Sequence, residues 1–234
     1  MPIMYTMMDP TYFLVIIGGI LCLGASAKVK STYAKYSRVR SARGLTGREA
    51  AEQILNSQGL HHVKVRHVSG QLTDHYDPRS QTVNLSDATY AQNSVAAVGV
   101  AAHECGHAIQ HAKAYAPLTF RTTLVPIANF GSMAAWPLII LGLFIGGTTS
   151  SLLLNLGILA FSLAVLFQIV TLPVEFNASS RAMKILGEAG LLSQEELSGT
   201  KKVLSAAALT YVASAAASLL QLLRLLMLAN RDRD

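Results

Sequence analysis

The chain has 234 residues, 51% of them hydrophobic and only 14% charged, with a net charge of +6. Soluble domains carry about 25% charged residues, so the composition argues against an ordinary soluble domain and for a membrane protein. The basic residues flank apolar stretches and form no stripe interleaved with aromatics, which sets nucleic acid aside as a partner.

In chain order, residues 11–27 are apolar and uncharged, about 17 residues and enough to cross a bilayer. No Lys or Arg precedes them, so the positive region of a secretory signal is missing. The basic cluster follows instead, at Lys28, Lys30, Lys35, Arg38, Arg40 and Arg43. By the positive-inside rule, the N-terminus lies outside and the next loop lies in the cytoplasm. Residues 44–60 predict a soluble helix, with Thr46 and Glu49 as a capping box and Gly59 at its C-terminal end. Residues 63–68, 72–76 and 82–85 carry strand signals separated by Ser69-Gly70 and Asp77-Pro78-Arg79-Ser80, and predict a short antiparallel meander. Residues 94–114 return to helical composition, with Ser94 as N-cap.

Two further apolar stretches, 124–147 and 152–172, read as a membrane hairpin closed by a tight uncharged turn at 146–151. Residues 175–202 are polar, with Ser193 capping a short helix through Glu196. Residues 203–228 form a last apolar helix, interrupted by Tyr211, Gln221 and Arg224, and Arg224 is expected to snorkel. The predicted fold is a mainly α membrane protein of four transmembrane helices with a small cytoplasmic α+β insertion. Its regions are a first span at 11–27, a cytoplasmic region at 28–123, the hairpin at 124–172, a cytoplasmic segment at 173–202 and a last span at 203–228. Such a chain is a multi-pass protein of the inner or plasma membrane. The two cysteines, Cys22 and Cys105, make neither a CxxC pair nor a disulfide framework.

The chemistry-bearing segment is His103-Glu104-Cys105-Gly106-His107, an HExxH motif. Residues four apart share a helix face, so the two imidazoles can converge on one zinc ion. Glu104 sits beside the first ligand and is placed to act on water as a general base and then as an acid. The bland alternative is a solvated helix end with two incidental histidines. Against it, residues 95–102 are small and apolar, and a His-Glu-His trio ending such a helix is costly unless partners satisfy it. A catalytic zinc takes three protein ligands and keeps one position open. Glu175 is the candidate third ligand, because it follows an apolar span and falls on the same membrane side as the motif. Its rival role is a helix N-terminal carboxylate next to Pro173. His111 is set aside as a ligand because its Cβ rises about 6 Å along the helix from that of His107. His61, His62, His67 and His75 lack ligand spacing. Arg181 and Tyr211 are weak candidates for stabilising an oxyanion, with membrane anchoring and interfacial packing as their plain readings.

The stretch from Asp74 to Pro78, the run AAHECGHAIQ and the segment from Leu172 to Ala182 together resemble the YugP-like membrane zinc peptidases, also called neutral zinc metallopeptidases. The likeness covers residues from about 10 to 228. More distantly the chain is similar to the HtpX-type and CAAX-prenyl-protease peptidases, in which HExxH is followed by a Glu-x-x-Ala-Asp segment. There the Glu maps to Glu175 and the Ala to Ala178, but Ser179 stands where those relatives carry the Asp that supports a metal histidine. Asn177 and Asp74 are the candidate substitutes. The resemblance implies a zincin-type HExxH helix of the gluzincin kind and a zinc-dependent endopeptidase working at the cytoplasmic face. Its partners would be a peptide or protein substrate and the lipid bilayer, with the substrate extended along an edge strand. A non-catalytic membrane scaffold with a structural metal site shares the ligands but has no need of Glu104. A metal transporter expects ligating groups within its spans, and the spans here hold no His, Asp or Glu.

Overall fold

The computed structural model describes residues 9–145 and 147–231. Gly146, expected in the hairpin turn, lies outside them. The chain divides into two compact units: Ser26–Thr119 with Pro173–Leu209, and Met1–Ala25 with Phe120–Leu172 and Thr210–Asp234.

The helices are α1 (Tyr12–Tyr36), α2 (Gly47–Ser57), α3 (Val95–Ala112), α4 (Ala116–Ile145), α5 (Gly147–Glu188) and α6 (Gln194–Arg231), with three strands between α2 and α3. Four of them, α1, α4, α5 and α6, are long and apolar enough to cross a membrane. The hairpin turn is shorter than expected, since residues 147–151 already belong to α5. Ser193 and Glu196 form the expected reciprocal cap, with Ser193 N–H to Glu196 Oε2 at 2.7 Å. That cap opens no short helix but the whole of α6, because nothing from Glu195 to Val203 breaks a helix except the tolerable Gly199. Pro173 likewise lies inside α5 rather than ending it; neighbouring hydroxyls and helices can satisfy the backbone that a proline frees.

In the first unit, α2 begins with the Thr46–Glu49 capping box, and Gly59 takes φ +71° just past its end. The strands β1 (Lys64–His67), β2 (His75–Asp77) and β3 (Thr82–Leu85) form a mixed sheet in the order β1-β3-β2. This corrects the antiparallel meander: β1 pairs with β3 in parallel, and only β2 and β3 are antiparallel. The reason lies in the connection after β1. Asp87 accepts from Gly70 N–H at 2.9 Å and contacts His67 Nε2 at 2.6 Å. Positive φ at Gly70, Leu72 and Gln81 then swings the chain across so that β2 joins the far side of β3. Central β3 buries Val83 and Leu85 against Ile54, Leu55, Val98, Ile109 and Leu186. That core seats α3 with its small-residue face inward.

In the second unit the apolar side chains point outward, as lipid-facing helices require. Leu23 and Met133 are each 72% exposed. Close approach between α4 and α5 depends on small residues: a Cβ on Gly131 would fall 2.6 Å from Ala160 O, and one on Gly157 2.6 Å from Ile139. Arg224 departs from expectation here. It does not snorkel, but is only 8% exposed, beside the core residue Leu225.

Candidate metal centre

The site grows from α3. Ser94 caps it through Ala97 N–H at 3.1 Å, and residues 95–102 pack as a buried small-residue face. His103 and His107 are one turn apart, their rings edge to face with centroids 4.8 Å apart. Gly106 stands between them for a steric reason. A Cβ there would come within 2.5 Å of Ala178 O, so only glycine lets α5 come this close. That approach delivers Glu175. Its Oε2 lies 3.3 Å from His103 Nε2 and 3.6 Å from His107 Nε2. The three side chains each offer a ligand atom, all within 4.8 Å of one another.

These spacings fit a metal better than a direct bond. An N–H···O bond prefers about 2.9 Å, whereas donors about 2.1 Å from a tetrahedral zinc stand about 3.4 Å apart. The electrostatics agree. Burial pulls the His107 imidazole toward lower pKa, but hydrogen bonding to Glu175 and the charges of Glu104 and Glu175 outweigh it and leave it raised. A field that favours a proton there also favours a divalent cation. Side-chain exposures of 15% for His103, 12% for His107 and 4% for Glu175 keep the imidazoles reachable and the carboxylate covered. Glu104 is buried at 8% exposure and is not one of the three converging groups.

Both imidazoles are held from behind through Nδ1, which leaves Nε2 for a metal. His103 Nδ1 lies 3.1 Å from Ser179 Oγ. Ser179 itself, and not Asn177 or Asp74, is the group behind His103. His107 Nδ1 lies 3.0 Å from Gln110 Oε1. The orientation of that amide is fixed, because Gln110 Nε2 donates to Val174 O at 2.8 Å and to Asn177 Oδ1 at 3.0 Å. Asn177 Oδ1 also accepts from Arg181 Nε at 2.7 Å, and the Arg181 guanidinium stands 5.8 Å from the Tyr115 ring centroid. Asn177 thus reaches His107 only through Gln110, and Arg181 anchors that chain. Gln110 escaped the sequence reading. Its signal was a glutamine on the His107 face of an apolar helix, where a buried amide without partners is costly.

The other candidates have other work. Asp74 accepts from Ser86 N–H and Oγ, both at 2.8 Å, and shapes the loop after β3 rather than supporting a histidine. Tyr76 OH lies 2.9 Å from His111 Nδ1. His61 meets Asn56, His67 meets Asp87, and His75 meets Thr73 O. His62 is exposed. Tyr211 lies in the other unit and is 39% exposed. Burial, and then the charge of Glu104, push the Cys105 thiol well above its usual pKa, so it is no nucleophile.

A family described as "Putative neutral zinc metallopeptidase" matches residues 11–230. The chain belongs to this neutral zinc metallopeptidase family. It is 49% identical over 222 residues to the "Putative membrane protease YugP" of Bacillus subtilis (strain 168), covering 95% of this chain and 97% of that protein. No solved structure matches it. Membership of a family described as neutral zinc metallopeptidases implies zinc, and the three converging side chains form a group that could hold a metal ion. With four helices able to span a bilayer, this member of the family is a multi-pass membrane protein.

Proposed function

We propose that the protein is a membrane-embedded, zinc-dependent endopeptidase in which His103, His107 and Glu175 hold the metal and Glu104 is the catalytic residue. The observation that carries this reading is the convergence of two imidazole Nε2 atoms on one carboxylate oxygen, at 3.3 and 3.6 Å, with a second acidic group, Glu104, next to the first ligand and outside the cluster. Zinc, when bound, lowers the pKa of a water to about 7 and polarises a carbonyl. Glu104 takes the proton from the attacking water and hands it to the leaving amine nitrogen. Ser179 and Gln110 hold the imidazoles with Nε2 free for the metal throughout.

The substrate is an extended peptide pairing with the free edge of β2. Among the described residues that edge is unpaired, and β2 reaches α3 directly through Tyr76 and His111. The site works on the cytoplasmic side, the side to which the basic clusters around residues 28–43 and 181–202 assign it. The purified full-length chain and its Glu104→Gln variant separate this reading from a metal-bearing scaffold. Both should bind zinc one to one, and only the wild type should cleave a casein substrate. Undiminished cleavage by Glu104→Gln sinks the mechanism.

A further inference from the structure

Arg224 lies four residues before the end of the last apolar stretch, about 6 Å along the helix axis, and so beneath the headgroup layer. It is 8% exposed. Among the described residues its guanidinium makes no ion pair, and its buried Nε has no hydrogen-bond partner. The Tyr12 ring stands beside it, 5.1 Å from the guanidinium carbon to the centroid. A ring face attracts the cation but cannot accept all of its N–H donors. The same side chain lines a cavity of about 70 Å³ whose other walls include Trp136, Leu143, Leu154, Ile158 and Leu228. Trp136 and Leu143 are 46% and 44% exposed, so this wall faces the lipid.

We propose that Arg224 and this cavity bind the phosphate of an anionic membrane phospholipid. An intramembrane ionisable residue marks a candidate functional site whose partner must be named, and for a guanidinium with no counter-ion among the described residues that partner is an anion. Water alone does not fit, because a buried water needs two to four polar partners and apolar side chains make up most of the wall. A free phosphate would leave its hydration shell for a single cation in an apolar hole. A lipid phosphate arrives with acyl chains that cover the exposed rim at Trp136 and Leu143. The cavity is too small for a whole lipid and suits the headgroup phosphate, with the chains lying outside along α4.

Native mass spectrometry of the full-length protein, titrated with dioleoyl phosphatidylglycerol, dioleoyl phosphatidylcholine or inorganic phosphate, tests this. The wild type should retain one phosphatidylglycerol through delipidation and prefer it to phosphatidylcholine. Arg224→Gln should weaken that binding about tenfold or more, the effect of losing a hydrogen-bonded charged partner. Ala229→Leu, which fills the cavity and leaves Arg224 in place, should also weaken it, with zinc content unchanged in both variants. Equal retention by wild type and Arg224→Gln overturns the proposal, as does equal affinity for the two lipids. Displacement of phosphatidylglycerol by millimolar inorganic phosphate would make this a free-anion site and overturn it too. Should Arg224→Gln fail to fold, undiminished retention by Ala229→Leu is decisive against it.

Discussion

Gln110 and Arg224 are both buried polar side chains on helices, one in each unit. Gln110 meets His107, Val174 and Asn177, and through Asn177 it is tied to Arg181. Arg224 meets a tyrosine ring and a cavity. Low local dielectric makes a satisfied network rigid and an unsatisfied group expensive. The first unit therefore has its site built and braced by its own residues. The second holds a charge that looks outside the chain for its partner.

The comparison breaks most completely at the point where the two ligand helices share a carboxylate. Glu175→Ala removes one of three ligands and should leave the purified protein with a small fraction of stoichiometric zinc by elemental analysis, and without peptidase activity. Full zinc content in that variant would move the third ligand elsewhere. Next comes Gly106→Ala, whose Cβ would sit 2.5 Å from Ala178 O. Overpacking of this kind costs about 1–3 kcal/mol, and here the strain is released by moving Glu175 away from the histidines. Zinc content should fall with activity. The matched change in the second unit is Gly131→Ala, whose Cβ would sit 2.6 Å from Ala160 O, again a backbone oxygen, and which should lower the melting temperature while leaving zinc bound. If the two glycine variants lose zinc alike, the units are not separable in this way.

A smaller effect is expected one layer out. Gln110→Leu preserves volume but removes the acceptor behind His107 and the amide donor to Val174 O and Asn177. Losing such a partner typically weakens metal affinity 10–100-fold, and a competition titration of the folded variant with a zinc chelator reads that directly. Gln110→Glu keeps an acceptor for His107 and should retain more of the affinity. An unchanged zinc affinity in Gln110→Leu would reduce this network to packing.

What was legible in the sequence follows the same division. Spans, caps and the HExxH helix are local patterns, and the residues that set them are neighbours in the chain: the apolar run at 11–27, Thr46 with Glu49, Ser94 before the small-residue face. Glu175 could be paired with the histidines because membrane topology returns the chain to one side after each hairpin. The parallel pairing of β1 with β3 could not be seen, since it depends on Asp87 gripping Gly70 and His67 across the loop. Nor could the chain from Arg181 through Asn177 to Gln110, whose members come from two distant helices. Arg224 was misread for a related reason. Periodicity says how far a residue lies along a helix, but which face the bundle covers is a property of four helices at once.

The smallest expected effect tests whether the metal site depends on the stability of its own unit. Thr46 N–H donates to Glu49 Oε2 at 2.8 Å, and Glu49 N–H donates back to Thr46 Oγ1 at 3.2 Å. Thr46→Ala deletes the hydroxyl half of this box and should lower the melting temperature by a few degrees, as loss of an N-cap does, with zinc stoichiometry intact. The backbone N–H of Thr46, and then its hydroxyl, hold the Glu49 carboxyl below its ordinary pKa. A depressed carboxylate contributes stability above its unfolded pKa and loses that contribution as the pH falls through its folded pKa. The gap between wild type and Thr46→Ala should therefore be widest at neutral pH and shrink on acidification below the usual carboxylate range. A gap that stays constant with pH would mean that the Thr46 hydroxyl adds nothing to the Glu49 carboxylate, and that its share of the cap is the bond it accepts from Glu49 N–H.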